Sequence, residues 1–497
     1  MNRRQFVKVG AAVGSAWSPA SAALLSACAS RTAALADGAA ASFTPLYRPT
    51  VLSPAGLTLT ARRATAEIAR GVSSSVFTWA DGPVGPTIEA RTGQRATIEM
   101  RNELDEPTIA HWHGLRPPEA SDGHPRLQVG PHGRHAYDFV VREPAGLYWY
   151  HSHAHARTAP QVYLGLAGLF IVRDEAEESL GLPSGPRELA LVLQDKRQDP
   201  SGQLAYDPVG HELMEGFLSG GAYVNGVRFP RIEVEASRYR LRVLAAGNAR
   251  IFRLGLSNGT PLMLIGGDAG LLEAPIELPS IDLGTGERAD LLVDFSGLPR
   301  GATVRLRSLG FESPARMGMG RGMMGGRMMM GGGAQSAQGA ELDLAEFVVT
   351  RPGRSSGPVP ARLLQLDRIP RTSAERERTF RFDSRMMMHT INGRVFEMER
   401  VDERVRFGAT EIWRFINDGP FPHPVHMHAV HFQVLSRNGG RARVFPWERG
   451  WKDTVLVFPG EAVEVISRFD SHRGMFLLHC HNLEHEDMGM MLNFLIE

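Results

Sequence analysis

Apolar and polar residues alternate in short runs along much of this chain, as in Ala96–Met100 and Tyr239–Val243, and turn signals rich in Gly, Pro or Asn-Gly separate the runs. Alternation with a period of two sets one face of an extended strand against a core. Apolar positions spaced for helices are scarce, so the pattern predicts an all-β protein. At 497 residues the chain exceeds what one ordinary core organises, and its length suggests about three domains. Two stretches, 174–186 and 351–360, combine charge with Gly and Pro and read as linkers. They leave three blocks, 45–174, 187–350 and 361–497, behind an N-terminal stretch of residues 1–44.

The first and third blocks repeat each other. Gly146-Leu-Tyr-Trp-Tyr-His151-Ser-His153 aligns with Gly474-Met-Phe-Leu-Leu-His479-Cys-His481. Asn102 precedes His111-Trp-His113 by nine residues, Asn417 precedes His426-Met-His428 by nine, and Pro107 and Pro422 fall at matching places between them. The middle block has one histidine, His211, but shares an Asn-Gly hairpin signal with block three, at Asn225-Gly226 and Asn392-Gly393. Three related β domains account for this.

Charge and composition narrow the partners. A formal net charge of +1, with no long basic stretch beyond the first residues, argues against nucleic acid as a partner. The opening Arg3-Arg4-Gln5-Phe6-Val7-Lys8, followed by a weakly apolar Ala-rich stretch, matches a twin-arginine export signal. Leu24-Leu25-Ser26-Ala27-Cys28 resembles a lipoprotein cleavage box, which would lipidate Cys28, whereas Ala34-Leu35-Ala36 offers ordinary cleavage. Either address is the periplasm or cell envelope. Cys480 is then the sole cysteine of the exported body, and a lone thiol without a disulfide partner suggests chemistry such as metal ligation.

Residues two apart in a strand face one way, so each His-x-His pair aims two imidazoles together. A single pair also arises by chance or in a zinc site. Four pairs in two duplicated contexts do not, and eight imidazoles suit a cluster of three coppers better than one ion. Structural zinc takes four ligands per site, often several of them thiolates, and one thiolate is on offer. In an extended run Cys480 faces away from His479 and His481, leaving it free for a separate site. Two histidines, a cysteine and a weak axial Met make the blue-copper arrangement, and His423, His485 and Met490 are at hand to complete it. One residue step of strand plus metal bonds would set the two sites about 10 to 15 Å apart. Ser152, Thr108 and Arg157 occupy the corresponding places of block one, so only block three is equipped for the blue site.

These motifs resemble those of the multicopper oxidases: His111-Trp112-His113-Gly114, His151-Ser152-His153, His423-Pro424-Val425-His426-Met427-His428, and the run from His479 through His485 to Met490. The resemblance spans about residues 45 to 497. It implies three cupredoxin-like Greek-key β-sandwich domains and four coppers per chain. The type 1 copper would be held by His423, Cys480, His485 and Met490, and the type 2 copper by His111 and His426. One type 3 copper would take His113, His151 and His481, its partner His153, His428 and His479. Asp122 and Glu486 resemble the family's proton donors, which the reduction of O2 to water requires.

Residues 316–333 read RMGMGRGMMGGRMMMGGG. Composition makes this a low-complexity insertion into block two. Its thioethers, on Met317, Met319, Met323, Met324, Met328, Met329 and Met330, are soft ligands suited to Cu(I). Met386-Met387-Met388-His389 is a second soft cluster or a core strand. The insertion resembles that of bacterial cuprous oxidases in copper tolerance. The chain departs from that group at Phe421, where a substrate-site Met is expected, and at Asp418, which lies beside the expected acidic position. The reading is a monomeric enzyme coupling oxidation of Cu(I), and of phenols or aromatic amines, to reduction of O2 to water. The alternatives are a laccase or other metal oxidase with an incidental Met-rich loop, and a copper-binding scaffold without turnover.

Overall fold

The computed structural model describes residues 43–313, 338–353, 357–385 and 387–497. The Met-rich run 316–333, Met386 and the export segment with Cys28 lie outside the described residues. Among the described residues, six sheets pair face to face around three large apolar cores. In residues 51–173, Leu59, Ile98 and Tyr137 of a four-stranded sheet pack with Ile88, Tyr148 and Phe170 of a five-stranded one. In residues 188–352, a seven-stranded and a five-stranded sheet share a core that includes Leu191, Leu241, Leu291, Leu254 and Phe347. In residues 376–496, two five-stranded sheets enclose Phe380, Trp413, Phe415, Phe476 and Phe494. The predicted runs are strands, Arg95–Asn102 and Arg238–Ala245. Alternation of buried and exposed residues along Arg95–Asn102 is what gives it one core face.

The duplication extends to topology. In the first sandwich Thr87–Arg91 runs parallel to Ala167–Arg173, which pairs antiparallel with Gly146–Ser152 and so to Ala110–His113. In the third, Val401–Val405, Met491–Ile496, Gly474–Cys480 and His423–Met427 repeat those directions in order. Registers match as well: His111 lies opposite His151, and His426 opposite His479. The paired asparagines do the same work in both places. Asn102 Nδ2 donates to the carbonyl of Glu106 and its Oδ1 accepts from Leu104 N. Asn417 Nδ2 donates to that of Phe421 and its Oδ1 accepts from Gly419 N. Each thereby pins the loop leading into a His-x-His strand. Asn225-Gly226 and Asn392-Gly393 have positive φ at both residues (51° and 76°, 53° and 74°), as two-residue primed hairpin turns require. The three sandwiches are cupredoxin-like, with crossovers between non-adjacent strands.

Met387 and Met388 are not core residues. They sit at the tip of the hairpin joining Arg376–Arg385 to Met388–Ile391, about half exposed, with Met387 at φ 63°. The turn, not a core face, sets their environment.

Candidate copper centre

All four His-x-His pairs converge between the first and third sandwiches, and all eight imidazoles are buried. Their ring nitrogens approach one another, across the gap at His111 Nε2 to His426 Nε2 (3.4 Å) and His481 Nε2 to His151 Nε2 (3.4 Å), and within the third sandwich at His428 Nε2 to His479 Nε2 (3.1 Å). Three groupings of potential metal donors lie entirely within this set: His111 with His113 and His151, His111 with His426 and His428, and His153 with His428 and His479. His481 joins through His151 and lies 4.8 Å, ring to ring, from His113.

The inward aim of these nitrogens has a cause. The opposite nitrogen of most rings is tied to an oxygen, which fixes tautomer and ring plane. His111 Nδ1 donates to the Asp122 carbonyl (2.7 Å), His151 Nδ1 to that of Ser152 (2.8 Å), and His426 Nδ1 to that of Asp453 (2.9 Å). His428 Nδ1 donates to Asp122 Oδ2 at 2.8 Å. Glu486 sets its two carboxylate oxygens 3.5 Å from His153 Nδ1 and 3.3 Å from His479 Nδ1. His113 is reversed: its Nε2 lies 3.1 Å from Asp453 Oδ1, and its Nδ1 is buried without a partner, like Nε2 of His153. Burial holds His111, His113, His153, His426, His428 and His481 well below their ordinary pKa and His151 down to about 3, so these rings are neutral donors. Buried lone pairs facing one another with no donor between them fit a cluster of cations.

Cys480 turns the other way along the strand Gly474–Cys480. Its Sγ lies 3.3 Å from His423 Nδ1 and 3.6 Å from His485 Nδ1, and the two nitrogens are 3.2 Å apart. The centre of that triangle is about 2 Å from each vertex, the length of a bond from a transition metal to nitrogen or sulfur. Burial pushes the Cys480 thiol well above its usual pKa, so a thiolate there needs a cation beside it. The donor set therefore fits copper. His485 follows in the short helix Leu483–Asp487, capped by Asn482. Met490 is buried, and its backbone bonds both ligand-bearing residues, N to the His485 carbonyl and O to Cys480 N.

At the matching place of the first sandwich, Thr108 Oγ1 and Ser152 Oγ lie 3.3 Å apart and both donate to Gln161 Oε1, at 2.9 and 2.5 Å. A hydroxyl and amide triad thus fills the position that Cys480 and two histidines hold in the third. Arg157, aligned by count with His485, instead precedes the helix Thr158–Leu164 that delivers Gln161.

Asp122 is fully buried, its Oδ1 lacks a partner, and burial raises its pKa well above the carboxylate range. Asp418 is exposed and accepts from Arg381 Nη1 at 2.7 Å, a surface ion pair. The sequence pattern did not place two residues beside the sites: His389, read only as part of a soft cluster or core strand, and Asp453. His389 stacks on His485 (4.0 Å between centroids, 23°), with its nitrogens on Ser384 Oγ and the Leu213 carbonyl. Asp453 touches His113 through its side chain and His426 through its backbone. The available signal was the pair Lys452-Asp453 heading the apolar strand Thr454–Val457.

Comparison with known proteins agrees with this geometry. Multicopper oxidase family models match residues 60–177 and 368–497. The chain is 34% identical to a laccase of Haloferax volcanii over 86% of its own length and 72% of the relative's. It is 33% identical to the cell division protein FtsP of Dickeya dadantii, covering 82% of each. The crystal structure of the McoA multicopper oxidase of Aquifex aeolicus superposes with a TM-score of 0.82 at 33% identity, over 92% of this chain and all of that one. Matched by family models at both ends and by relatives above 30% identity along most of its length, the chain belongs to the multicopper oxidases, copper-dependent oxidoreductases.

Proposed function

We propose that this enzyme holds four coppers and couples the oxidation of Cu(I), with phenols or aromatic amines as further donors, to the reduction of O2 to water. The observation that carries the reading is the placement of a thiolate triangle and an eight-histidine cluster back to back on one strand end, with Cys480 bonded through the chain to His479 and His481. The type 1 site is His423, Cys480, His485 and Met490. His111 and His426 form type 2, and the type 3 pair takes His113, His151 and His481, then His153, His428 and His479. Copper in these places supplies one-electron acceptance at the cysteine site and four-electron reduction of O2 at the cluster.

The protein's own groups do the rest. Asp122, buried and raised in pKa, holds a proton at its unpartnered Oδ1 beside His111 and His428. Glu486 serves the opposite side through His153 and His479. His485 is fully buried, with its Nε2 donating to the Met214 carbonyl at 2.9 Å under the helix Gly210–Glu215. A ligand covered in this way favours a small donor such as Cu(I) over a bulky aromatic that would need direct contact with His485. The Met-rich run 316–333 supports the same donor by composition, and the match of residues 3–8 to a twin-arginine signal supports work outside the cytoplasm, anchored by lipid if Cys28 is the cleavage residue. A role in copper tolerance follows.

Oxygen uptake with Cu(I), Fe(II) and a phenol on one preparation tests the reading. Cu(I) should be consumed fastest, and deletion of residues 316–333 should slow Cu(I) turnover at low copper while leaving phenol oxidation intact. Unchanged Cu(I) turnover in the deletion would remove the Met-rich run from the account. A copper-loaded chain that neither shows a blue thiolate band nor consumes O2 would be a scaffold instead.

A further inference from the structure

The middle sandwich brings no histidine to the cluster, yet it supplies one of its walls. The turn Gly284–Glu287, between Ile281–Leu283 and Arg288–Asp294, lies against the histidines so closely that a Cβ on Gly286 (φ 90°) would sit 3.0 Å from His113 Cε1 and 3.3 Å from His481 Cδ2. Arg288 follows that turn and is fully buried. Its guanidinium donates to all three sandwiches. Nε reaches the Leu147 carbonyl of the first (3.1 Å). Nη1 and Nη2 reach the Gly286 and Asp268 carbonyls of its own (2.9 and 2.6 Å). The same two nitrogens grip Asp453 of the third, Nη1 on Oδ1 at 2.7 Å and Nη2 on Oδ2 at 2.5 Å. A planar fork with every donor engaged has no freedom to turn.

Asp453 carries this rigidity to the ligands. Its Oδ1 accepts from Thr454 Oγ1 at 2.8 Å and lies 3.1 Å from His113 Nε2, and its carbonyl accepts from His426 Nδ1 at 2.9 Å. One residue thus orients a histidine of the first sandwich and a histidine of the third. His113 and His426 consequently stack, with centroids 3.6 Å apart at 11°. With Nε2 of His113 occupied by the carboxylate, its Nδ1 is the nitrogen left to face the cluster, and that atom has no other partner.

We propose that Arg288 and Asp453 are positioning residues for the oxygen-reducing cluster. The middle sandwich, which brings no histidine to the cluster, clamps Asp453 through Arg288, and Asp453 sets the ring of His113 for ligation through Nδ1 and that of His426 through Nε2. This rests on the four-copper reading above.

The test compares Asp453→Asn and Arg288→Met with the wild-type holoenzyme, measuring copper per chain, the blue thiolate band and the type 2 electron paramagnetic signal during titration with a chelator. Groups that orient metal-bound histidines typically change affinity by about 10- to 100-fold. Both variants should lose cluster copper at about 10- to 100-fold lower chelator concentration while keeping the blue band, whose ligands lie wholly in the third sandwich. Asp453→Asn is nearly isosteric and keeps the question open to refutation if Arg288→Met does not fold. Cluster copper as tightly held as in the wild type, or blue and cluster copper lost in parallel, would overturn the positioning role. A wild-type enzyme that binds only the blue copper would overturn the four-copper reading itself, and the clamp with it.

Discussion

Lys196 offers a quantitative check on how the first and second sandwiches meet. It ends the strand Glu188–Lys196, which pairs with Gly221–Val224 so that Gln194 lies opposite Tyr223. Lys196 is buried, its Nζ has no hydrogen-bond partner, and the ring of Tyr163 from the first sandwich lies 5.7 Å away. The neighbouring Asp195 is committed elsewhere, its Oδ2 accepting from Arg250 Nε and Ser219 N. Burial, only partly opposed by Asp195, therefore pulls the ammonium down to about 7. Lys196→Met keeps the apolar stem and removes the amine.

An unfolded lysine titrates near 10.4, so between about pH 7 and about pH 10 the unfolded chain binds a proton that the folded chain does not. Stability of the wild type then rises with pH by up to about 1.4 kcal/mol per unit, and the gain is absent below about pH 7, where both states are protonated. The variant lacks this dependence, and every other group cancels in the comparison. Lys196→Met should be more stable than wild type by about 4 to 5 kcal/mol near and below pH 7, with the margin shrinking by about 2 kcal/mol on going to about pH 9. Guanidinium melts of both proteins across that range, in the same copper state, measure it. A margin that stays flat with pH, or a variant less stable than wild type at pH 7, would refute the account of an unpaired buried ammonium.

Three further outcomes follow from the site. Cys480→Ser should abolish the blue band and all turnover while retaining cluster copper, read by visible absorption and copper per chain; a blue variant would exclude Cys480 as the ligand. Asp122→Asn should slow O2 consumption by about 100- to 10,000-fold, the usual worth of a positioned proton donor, while anaerobic reduction of the blue centre keeps its rate. Asn417→Ala strips partners from the buried Phe421 and Val457 carbonyls and from Gly419 N, at a cost of about 2 to 4 kcal/mol, and should weaken the loop that carries His423, visible as lost blue intensity per chain.

What could be read from the sequence was whatever the chain encodes locally and repeats. A His-x-His pair on a strand declares its own geometry, and two copies of Asn, Pro and His at equal spacing declare a duplicated frame. The structure then adds equal registers, His111 opposite His151 and His426 opposite His479. The count from Ser152 failed at the third vertex of the first-sandwich triad, because Gln161 arrives on a helical turn and not at the five-residue spacing of His485. The stacking of His389 on His485 was hidden for a related reason. His389 meets His485 only because a hairpin and the helix Gly210–Glu215 close over one spot, and no spacing links residues so far apart in sequence.

Counting ligands is also why the middle sandwich went unread. It has one histidine, so a metal-centred reading gives it nothing to do at the cluster. Its contribution is an arginine, a residue type that never ligates copper and carries no motif of its own. Arg288 becomes meaningful only when Leu147, Asp268 and Asp453 are seen around one guanidinium. A buried arginine left without partners would be severely destabilising, whereas one whose five donors are all used locks the groups it touches. A site assembled from two sandwiches needs some element that registers them against each other to within a bond length. The middle sandwich, which brings no histidine to the cluster, supplies a rigid fork that reaches both.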